Sequence, residues 1–482
     1  MSENINKLFK GTIIYGLGAA LNKGLSVLLT PLFTAYLNPE DYAIFAVLNF
    51  FSVILSTIFL FGFGSSIGLC YYENELIESK KRVIWTSFTI LFITSILMFC
   101  VFYLTIPLYN DLLFKNSSQY DFIFITIVST VFINITTPLT LYLQFEQKQY
   151  QYVMITLVTT ISSILLRLIL IVYLDYGISG LIIGNLFACV VQFLITFMWI
   201  VKDVKFVFSK SISKKLFAYG LPLIPSFFIL LILQQGNIYL LEHFTNNRAL
   251  GLYSVGFAFG SFITLVTNAI ATAWFPYAMS FTQNKEEARI TFGRIISYYT
   301  ISVGTLSLLF YVFDFPLVYL LTNEKFWDAR YFIGGTATVS FISLYFNFLL
   351  APMYFEKETR YVSLIQLIAT IIYFLLAILL IPSIGSIGTM ISLVFGYLAM
   401  IFILHLWNLM KKTQYLQIKY EGKRLFIFTI LYLIFVIIHY IFNNFAVSCF
   451  SFLLFSIGIF QLINKDEKNY IKLYFVGFKN KF

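Results

Sequence analysis

GTIIYGLGAALNKGLSVLLTPLFTAYLNPEDY, from Gly11 to Tyr42, decides the fold. Its first part, 11–36, is an apolar run long enough to cross a bilayer, whose hydrocarbon core requires about 20 helical residues. Lys23 nevertheless stands in the middle of this run, next to Asn22. Small or polar residues recur every three or four positions, which places them on one helical face. That face comprises Gly16, Ala19, Lys23, Ser26, Thr30 and Thr34. We expect this helix to turn one side to lipid and the other to a water-filled cavity.

Lys23 is the most informative residue of the run. A charged side chain at the bilayer centre costs at least about 2.5–3.5 kcal/mol. Lys23 lies about 13 residues from either end, roughly 20 Å at 1.5 Å per residue, which is farther than a lysine side chain can snorkel. Two interpretations stay open: the ammonium lines a cavity, which we favour, or it caps a backbone carbonyl between helices.

The composition is that of a membrane protein. The chain has 482 residues, of which 60% are hydrophobic and only 11% charged, whereas soluble domains carry about 25% charged residues. Its long apolar runs are typical of an all-α polytopic protein and differ from the short alternating segments of a β-barrel. The four cysteines form no CxxC pair and the three histidines are far apart, so neither a metal site nor a cofactor is predicted.

Fourteen apolar segments follow one another, which predicts about 14 transmembrane helices. Their approximate bounds are 11–36, 43–69, 83–109, 121–143, 152–174, 178–201, 217–241, 249–274, 294–316, 331–354, 361–381, 386–410, 425–442 and 445–463.

Basic residues test this count independently, because Lys and Arg accumulate in short cytoplasmic loops. With the N-terminus placed in the cytoplasm, the loops on the opposite side hold only Lys115, Arg248, Lys325 and Arg330 of the 32 Lys and Arg residues. We therefore predict a multi-pass protein of the cytoplasmic membrane with both termini in the cytoplasm. The net charge of +10 is then a consequence of topology, and no nucleic-acid partner is predicted.

The chain also contains an internal repeat. The dipeptide Tyr15–Gly16 recurs about half a chain later as Tyr219–Gly220. The glycine pair of Gly177–Gly180 recurs in the same way as Gly385–Gly388. Six helices per half is an even number, so the halves are expected to be parallel copies facing each other across a central cleft. We predict an N-terminal six-helix bundle, a C-terminal six-helix bundle, and two extra helices with a basic cytoplasmic tail. Their bounds are 1–201, 202–410 and 411–482.

Other polar residues inside the apolar segments are candidates for binding a substrate. Arg167 continues a stripe of Thr156, Thr160 and Ser163, but it lies roughly 10 Å from the helix end, so snorkelling is an equal alternative. Amide side chains recur on helices seven and eight, where helix packing explains polar faces equally well. The candidate binding residues are Lys23, Asn22, Arg167, Gln234, Gln235, Asn237 and Asn268.

Acidic residues do not occur in the middle of any segment. Buried cations without buried anions favour an anionic ligand, such as a phosphate or pyrophosphate. The outside loops are short, and they carry no paired-carboxylate, Ser/His/Asp or glycine-rich phosphate motif. The chain is therefore not predicted to be an enzyme.

Three stretches resemble a known family. TPLFTAYLNPEDYAIFAVL, Thr30–Leu48, is similar to the first-helix signature of polysaccharide-synthesis transporters. Gly220–Gly260 is similar to their helix-seven-to-eight signature, and AWFPYAM, Ala273–Met279, to the end of their helix eight. These are the Wzx-type flippases of O-antigen or capsule repeat units, in the multidrug/oligosaccharidyl-lipid/polysaccharide exporter superfamily. The chain departs from the family at Ala43, where Gly is common, and at Asn237–Ile238, where many members have Asp-Arg.

The resemblance implies a fourteen-helix transporter of two bundles that works by alternating access. It would carry an undecaprenyl-pyrophosphate-linked oligosaccharide from the inner to the outer leaflet of the bacterial cytoplasmic membrane. The product would be an O-antigen, capsule or exopolysaccharide. Its partners would be this lipid-linked substrate, membrane lipids, and a polysaccharide polymerase and glycosyltransferases. Lys23 and Arg167 would offset the charge of the pyrophosphate or of acidic sugars.

Two alternatives stay open. A multidrug/cation antiporter of the same superfamily would require a carboxylate within the membrane. A membrane glycosyltransferase or polymerase would require a large outer loop with catalytic groups. Neither feature occurs in the sequence, so a flippase is preferred.

Overall fold

Apolar helices joined by short turns make up the chain, because a helix satisfies its own backbone hydrogen bonds, as crossing lipid requires. The predicted stripe positions Gly16, Ala19 and Ser26, and the basic tail beyond residue 462, lie outside the described residues. The structure, a computed structural model, describes residues 18, 20–25, 27–73, 77–114, 118–201, 207–281, 284–356, 361–411 and 415–462.

The regular elements of these ranges are all helical. Residues 20–25 are helical and precede a turn at Leu29. Leu221–Leu223 and Glu324–Ala329 are 3₁₀ turns, and Ile169–Tyr173 is a π-helical turn. The α-helices are α1 (Thr30–Tyr36), α2 (Pro39–Phe59), α3 (Phe63–Tyr72), α4 (Ile77–Leu104), α5 (Ile106–Leu113), α6 (Tyr120–Phe145), α7 (Gln149–Leu168), α8 (Gly177–Ile200), α9 (Lys210–Gly220), α10 (Ile224–Phe244), α11 (Asn247–Gly260), α12 (Ile263–Met279), α13 (Lys285–Val312), α14 (Asp314–Leu321), α15 (Arg330–Phe355), α16 (Val362–Ile384), α17 (Ser386–Met410), α18 (Gly422–Phe442) and α19 (Phe445–Leu462).

Most of these helices have the length and composition of membrane spans. Within the described ranges, eleven are long and apolar enough to cross a bilayer, and α11 and α12 form one further span if counted together. α19 is a shorter apolar helix, and the first predicted helix lies only partly within the described residues. These helices account for the predicted fourteen. The expectation of an all-α polytopic membrane protein is confirmed.

Several predicted segments are interrupted, so their predicted bounds are wrong. At the break between α2 and α3, Phe61 and Gly62 both have positive φ, 51° and 69°. A hydropathy pattern reports how apolar a segment is and does not detect a turn within it. These segments were therefore predicted as single helices. α2 and α3 divide segment 43–69, α4 and α5 divide 83–109, α11 and α12 divide 249–274, and α13 and α14 divide 294–316.

By their internal contacts the residues fall into two compact units. The first comprises Met1–Phe259, Val318–Ala329 and Arg360–Met400, and the second comprises Gly260–Leu317, Arg330–Thr359 and Ile401–Phe482. The bounds of these units differ from those of the predicted domains. The units group residues by their contacts, whereas the predicted domains follow the internal repeat, so the two divisions are not the same test. The division at 201 and 410 into two bundles and two extra helices therefore stays a prediction.

The first unit has its apolar core between α3, α4, α6, α8 and α9, with Phe63, Trp85, Leu139 and Leu216 buried at its centre. α6 packs against α4 and α8, α2 packs against α10, and α10 packs in turn against α16. Both helices of the pair α2 and α10 carry polar residues within otherwise apolar sequence.

Two helix breaks of the first unit touch through glycine. A Cβ atom at Gly62 would lie 2.2 Å from the carbonyl oxygen of Gly220, so only glycine fits this contact. Nearby, the carboxylate of Glu73 accepts hydrogen bonds from the Lys215 ammonium at 3.1 Å and from the Tyr219 hydroxyl at 3.0 Å. These two donors hold the pKa of Glu73 below its usual range. The contacts fix α9 against α3.

The second unit is held by aromatic packing and a chain of hydroxyl groups. The Tyr432 hydroxyl lies 2.8 Å from Ser307 Oγ and 2.7 Å from Thr338 Oγ1, and Thr338 Oγ1 lies 2.8 Å from the Tyr311 hydroxyl. All four side chains are buried. Because buried hydroxyls require partners, this network fixes α13, α15 and α18 in one register.

A buried contact between a carboxyl group and an imidazole joins α14 to α18 in the same unit. Asp314 Oδ2 lies 3.2 Å from His439 Nε2, and the two side chains are 9% and 7% exposed. His439 Nδ1 lies 2.9 Å from the Ser448 hydroxyl of α19. The sequence analysis missed this pair, because its members are distant in sequence and lie near the ends of two segments.

Asp314→Ala is expected to lower the thermal stability of the purified protein. Removing the carboxyl group leaves the buried His439 Nε2 without its partner, which costs about 1–3 kcal/mol. Thermal unfolding in detergent measures the change. Asp328→Ala, at an exposed position, is the matched control, and equal unfolding midpoints for the two variants would contradict the role given to the pair.

Candidate functional site

A cavity of about 360 Å³ lies within the first unit. Its wall combines aromatic rings, amides and hydroxyl groups from the helices around it. Every described residue of the wall is uncharged. The wall residues are Val27, Thr30, Tyr42, Phe45, Ala46, Asn49, Gln234, Gln235, Asn237, Ile238, Tyr253, Ser254, Val255, Phe257, Ala258 and Phe259.

α2 contributes one face to this wall. Tyr42, Phe45, Ala46 and Asn49 are spaced by three, one and three residues, which places them on the same side of a helix. The helix begins at a capping box, in which the Asn38 backbone N–H donates to Asp41 Oδ2 at 2.8 Å. This cap fixes where α2 starts and therefore which of its side chains reach the cavity.

α10 brings three of the predicted binding residues to the wall. Gln234, Gln235 and Asn237 all line the cavity. Gln234 and Gln235 also line a neighbouring cavity of about 280 Å³, which follows the same pair of helices and includes Thr57 of α2. The polar path thus continues along α2 and α10 through two cavities.

Asn237 is the most enclosed amide of the wall. Its side chain is 1% exposed, and its Nδ2 donates a hydrogen bond to the hydroxyl of Tyr253. Its Oδ1 is buried and accepts no hydrogen bond from the described residues. A buried acceptor without a donor costs about 1–3 kcal/mol, so this oxygen is an unsatisfied polar group within a wall residue.

Arg167 stands next to the aromatic part of the wall. Its guanidinium carbon lies 6.0 Å from the centre of the Phe45 ring. Gly184 of α8 makes room for it, because a Cβ atom there would lie 2.3 Å from Arg167 Cγ. The π-helical turn Ile169–Tyr173 directly follows, and such turns are frequent at functional sites. Arg167 is half-buried and packs against a wall residue; its role in binding stays a prediction.

Lys23 and Asn22 are half-buried on the helical residues 20–25. Lys23 precedes the wall residue Val27 by four positions, about 6 Å along a helix axis. Asn268 lies at an exposed position of α12, in the second unit. The roles predicted for these three residues stay predictions.

Several wall residues were missed by the sequence analysis. Phe45 and Asn49 fall in the second apolar segment and Tyr42 directly precedes it; none of the three was named as a candidate binding residue. The available signal was Asn49, an amide in the middle of an otherwise apolar helix and on the same face as Tyr42 and Phe45. The two rings could not be distinguished by sequence from the many phenylalanines and tyrosines that face lipid.

The fold is shared with known transporters. An inward-facing multidrug resistance MATE family transporter of the MOP superfamily matches with a TM-score of 0.67 at 16% sequence identity, over 83% of this chain and 94% of that one. The lipid II flippase MurJ, in an inward closed conformation, matches with a TM-score of 0.64 at 16% identity, over 96% and 100%. The chain is thus a multi-pass membrane protein with the fold of the MOP-superfamily transporters.

Sequence comparison identifies the family. The family model described as "Polysaccharide biosynthesis protein" matches residues 8–282, more than half of the chain. An uncharacterised membrane protein of Methanocaldococcus jannaschii is 24% identical over 447 residues, which are 84% of each chain. The protein belongs to this polysaccharide biosynthesis family, and the resemblance stated from its sequence motifs is confirmed.

Proposed function

We propose that this protein is a flippase that carries an undecaprenyl-pyrophosphate-linked oligosaccharide repeat unit across the cytoplasmic membrane by alternating access. The carrying observation is the cavity wall, in which Asn49, Gln234, Gln235 and Asn237 place hydrogen-bonding amides among apolar spans. Membership of a polysaccharide biosynthesis family supports a glycan as the cargo.

The chemistry of the wall suits a sugar. Moving a hydroxyl group out of water without a new partner costs roughly 2–7 kcal/mol, so a glycan cannot cross lipid unaided. Amides both donate and accept hydrogen bonds and can replace the water around a sugar hydroxyl. The polyprenyl tail is apolar and would stay in the bilayer while the glycan passes through the protein.

The pyrophosphate requires positive charge. Charge-assisted hydrogen bonds from Lys and Arg to phosphate oxygens are about twice as strong as neutral ones. Lys23, four residues from the wall residue Val27, and Arg167, beside Phe45, are the predicted cations for this role. The sugar would then occupy the uncharged cavity, with the pyrophosphate next to it.

A second candidate function is that of a multidrug/cation antiporter, because the fold is similar to that of a MATE family transporter. The wall of amides and hydroxyls favours a hydroxyl-rich cargo over a cationic one. The enzyme alternative, a glycosyltransferase or polymerase, is set aside, since the proteins of similar fold are transporters and a flippase.

Reconstitution tests the proposal directly. The full-length protein is placed in vesicles that contain undecaprenyl-pyrophosphate linked to a neutral trisaccharide. Exposure of the sugar is followed with a membrane-impermeant lectin, with protein-free vesicles as the control. We expect protein-dependent exposure within minutes. No exposure, together with uptake of a cationic dye by the same vesicles, would replace the flippase with the antiporter.

The cellular setting follows from the same proposal. Both termini would be cytoplasmic, and the partners would be a polysaccharide polymerase and glycosyltransferases of a surface polysaccharide pathway. Reporter fusions at either end, active only in the cytoplasm, test the orientation. An inactive cytoplasmic reporter at either end, together with an active reporter of the extracytoplasmic kind at the same end, would overturn the proposed topology.

Lys23→Ala is expected to reduce glycan translocation about tenfold without lowering protein abundance, because losing one charge-assisted hydrogen bond weakens binding by about 1.5–3 kcal/mol. The measurement is the initial rate in the vesicle assay. Lys214→Ala is the control, since it removes the same charge from an exposed position on α9. If both variants translocate at the wild-type rate, Lys23 has a structural role.

A further inference from the structure

Sugar cargoes divide into uncharged ones and acidic ones that carry a carboxylate. The wall of the 360 Å³ cavity bears on this choice, because every described wall residue is uncharged. Its polar groups are amides and hydroxyls, and its rings include Tyr42, Phe45 and Phe257. This composition is typical of sites that bury a neutral ligand against aromatic surface and orient it with a few polar atoms.

Asn237 supplies an unused acceptor in this wall. Its Nδ2 is engaged by the Tyr253 hydroxyl, whereas its buried Oδ1 accepts nothing from the described residues. The hydroxyl of Tyr373, on α16, is also buried without a hydrogen-bond partner in the described part of the chain. It lies 4.0 Å from the position that a Cβ atom of Gly236 would occupy, next to Asn237. Two unsatisfied polar groups are therefore concentrated on one turn of α10 and its neighbour.

We propose that this cavity selects an uncharged sugar, and that Asn237 Oδ1 accepts a hydrogen bond from one of its hydroxyl groups. The inference rests on the proposed function, because the sugar is taken to be part of the lipid-linked cargo. The rings of Tyr42, Phe45 and Phe257 supply apolar surface for the C–H face of the sugar ring. Asn49, Gln234 and Gln235 place further amides along the same wall.

Selection against an acidic sugar follows from desolvation. A carboxylate moved from water into a site without a positive partner loses several kcal/mol of hydration. Arg167 is close to the wall but is not part of it, since its guanidinium faces the Phe45 ring and packs beside Gly184. A neutral sugar loses only hydroxyl hydration, which the wall amides restore. The cavity therefore distinguishes the two sugars by charge before any finer recognition.

Ile238 is the position at which this selectivity can be changed. It lines the cavity and directly follows Asn237. An arginine at this position would add a positive charge to the wall, and a guanidinium binds a carboxylate with two parallel hydrogen bonds. Ile238→Arg is therefore expected to admit an acidic sugar.

The test compares two lipid-linked glycans in vesicles containing the full-length protein. Both are undecaprenyl-pyrophosphate trisaccharides of N-acetylglucosamine and hexose, and one ends in glucuronic acid in place of the neutral hexose. We expect the wild-type protein to translocate the neutral glycan at least about tenfold faster, corresponding to about 1.4 kcal/mol. Ile238→Arg should raise the rate for the acidic glycan and reduce this ratio.

Asn237 is tested by removing its amide. Asn237→Leu should lower the rate for the neutral glycan about tenfold, the effect of one lost hydrogen bond with its partner left buried. Gln366→Leu is the matched control, because it removes a buried amide of α16 that is not part of the wall. Asn237→Ser, which keeps a hydroxyl acceptor, should restore part of the rate. Unfolding midpoints show whether each variant is folded.

The outcomes separate the inference from the proposed function. Equal wild-type rates for the two glycans, or a faster acidic one, would overturn the selectivity and leave the flippase proposal standing. A wild-type rate for folded Asn237→Leu would overturn the role of Asn237. Wild-type protein that moves neither glycan would overturn the proposed function, and the inference with it.

Discussion

Gly62→Val is expected to abolish accumulation of folded protein in the membrane. Gly62 has φ of +69°, and a Cβ atom there would lie 2.2 Å from the carbonyl oxygen of Gly220. The left-handed conformation costs a non-glycine residue roughly 1–2 kcal/mol, and overpacking adds typically 1–3 kcal/mol. The neighbouring atom belongs to the backbone, so relief requires moving a whole helix break. Membrane abundance and size-exclusion profiles of a tagged protein measure the outcome.

Substitutions at two other glycines of the same unit distinguish the backbone cost of this substitution from its steric cost. Gly177 has φ of +50° and open space around its Cβ position, so Gly177→Val includes only the conformational cost. Gly64, two residues from Gly62, is exposed on α3 with nothing near its Cβ position. Gly64→Val should therefore accumulate almost normally. Equal abundance of Gly62→Val and Gly177→Val would show that the contact with Gly220 does not limit folding.

The contact at Gly62 also explains what the sequence could not predict about the fold. The segment 43–69 reads as one continuous apolar run, and its residues Leu60–Gly62 are themselves mostly apolar. A hydropathy pattern reports that such a stretch belongs in lipid, but not whether its helix continues. The break depends on where another backbone, at Gly220, approaches it. That information is tertiary, and the sequence of one segment does not contain it.

The predicted start of the seventh span was wrong for a different reason. The predicted bound was residue 217, whereas α9 begins at Lys210 and leads through a 3₁₀ turn at Leu221–Leu223 into α10. Lys210, Lys214 and Lys215 excluded this helix from an apolar count. The helix nevertheless forms, because Ser209 Oγ accepts a hydrogen bond from the Ile212 backbone N–H at 3.4 Å and its apolar side packs on α3. A capping residue before an amphipathic stretch was the signal to use.

The polar wall was partly predictable because an amide is costly in lipid. Gln234, Gln235 and Asn237 stand out in an apolar helix, and all three reach the cavity. Tyr42 and Phe45 do not stand out, because aromatic residues occur throughout the spans and their exposure depends on packing. Asn268 stood out equally and lies at an exposed position of the second unit. A polar residue in an apolar segment thus indicates that something other than contact with lipid keeps it there. Whether it lines a cavity can be read only from the fold.

The other large effect is expected at Arg167, where Arg167→Met should reduce glycan translocation to less than about a tenth of the wild-type rate, more than 1.4 kcal/mol of binding or activation free energy. Its guanidinium lies 6.0 Å from the Phe45 ring, and its Nε is buried with no hydrogen-bond partner among the described residues. A charge kept within a span at such cost is more readily explained by function than by stability. Arg167→Lys, which keeps the charge, should retain part of the rate.

Stability measurements make this prediction decisive. Removing a charge from within a span relieves a desolvation cost, so Arg167→Met should unfold no earlier than the wild type. Loss of translocation could then not be attributed to unfolding. Gly184→Ala provides a second route to the same point, because its Cβ atom would occupy space 2.3 Å from Arg167 Cγ and displace the side chain. An arginine that only snorkels to the membrane surface would tolerate both changes at full rate, whereas a cation serving the pyrophosphate would tolerate neither.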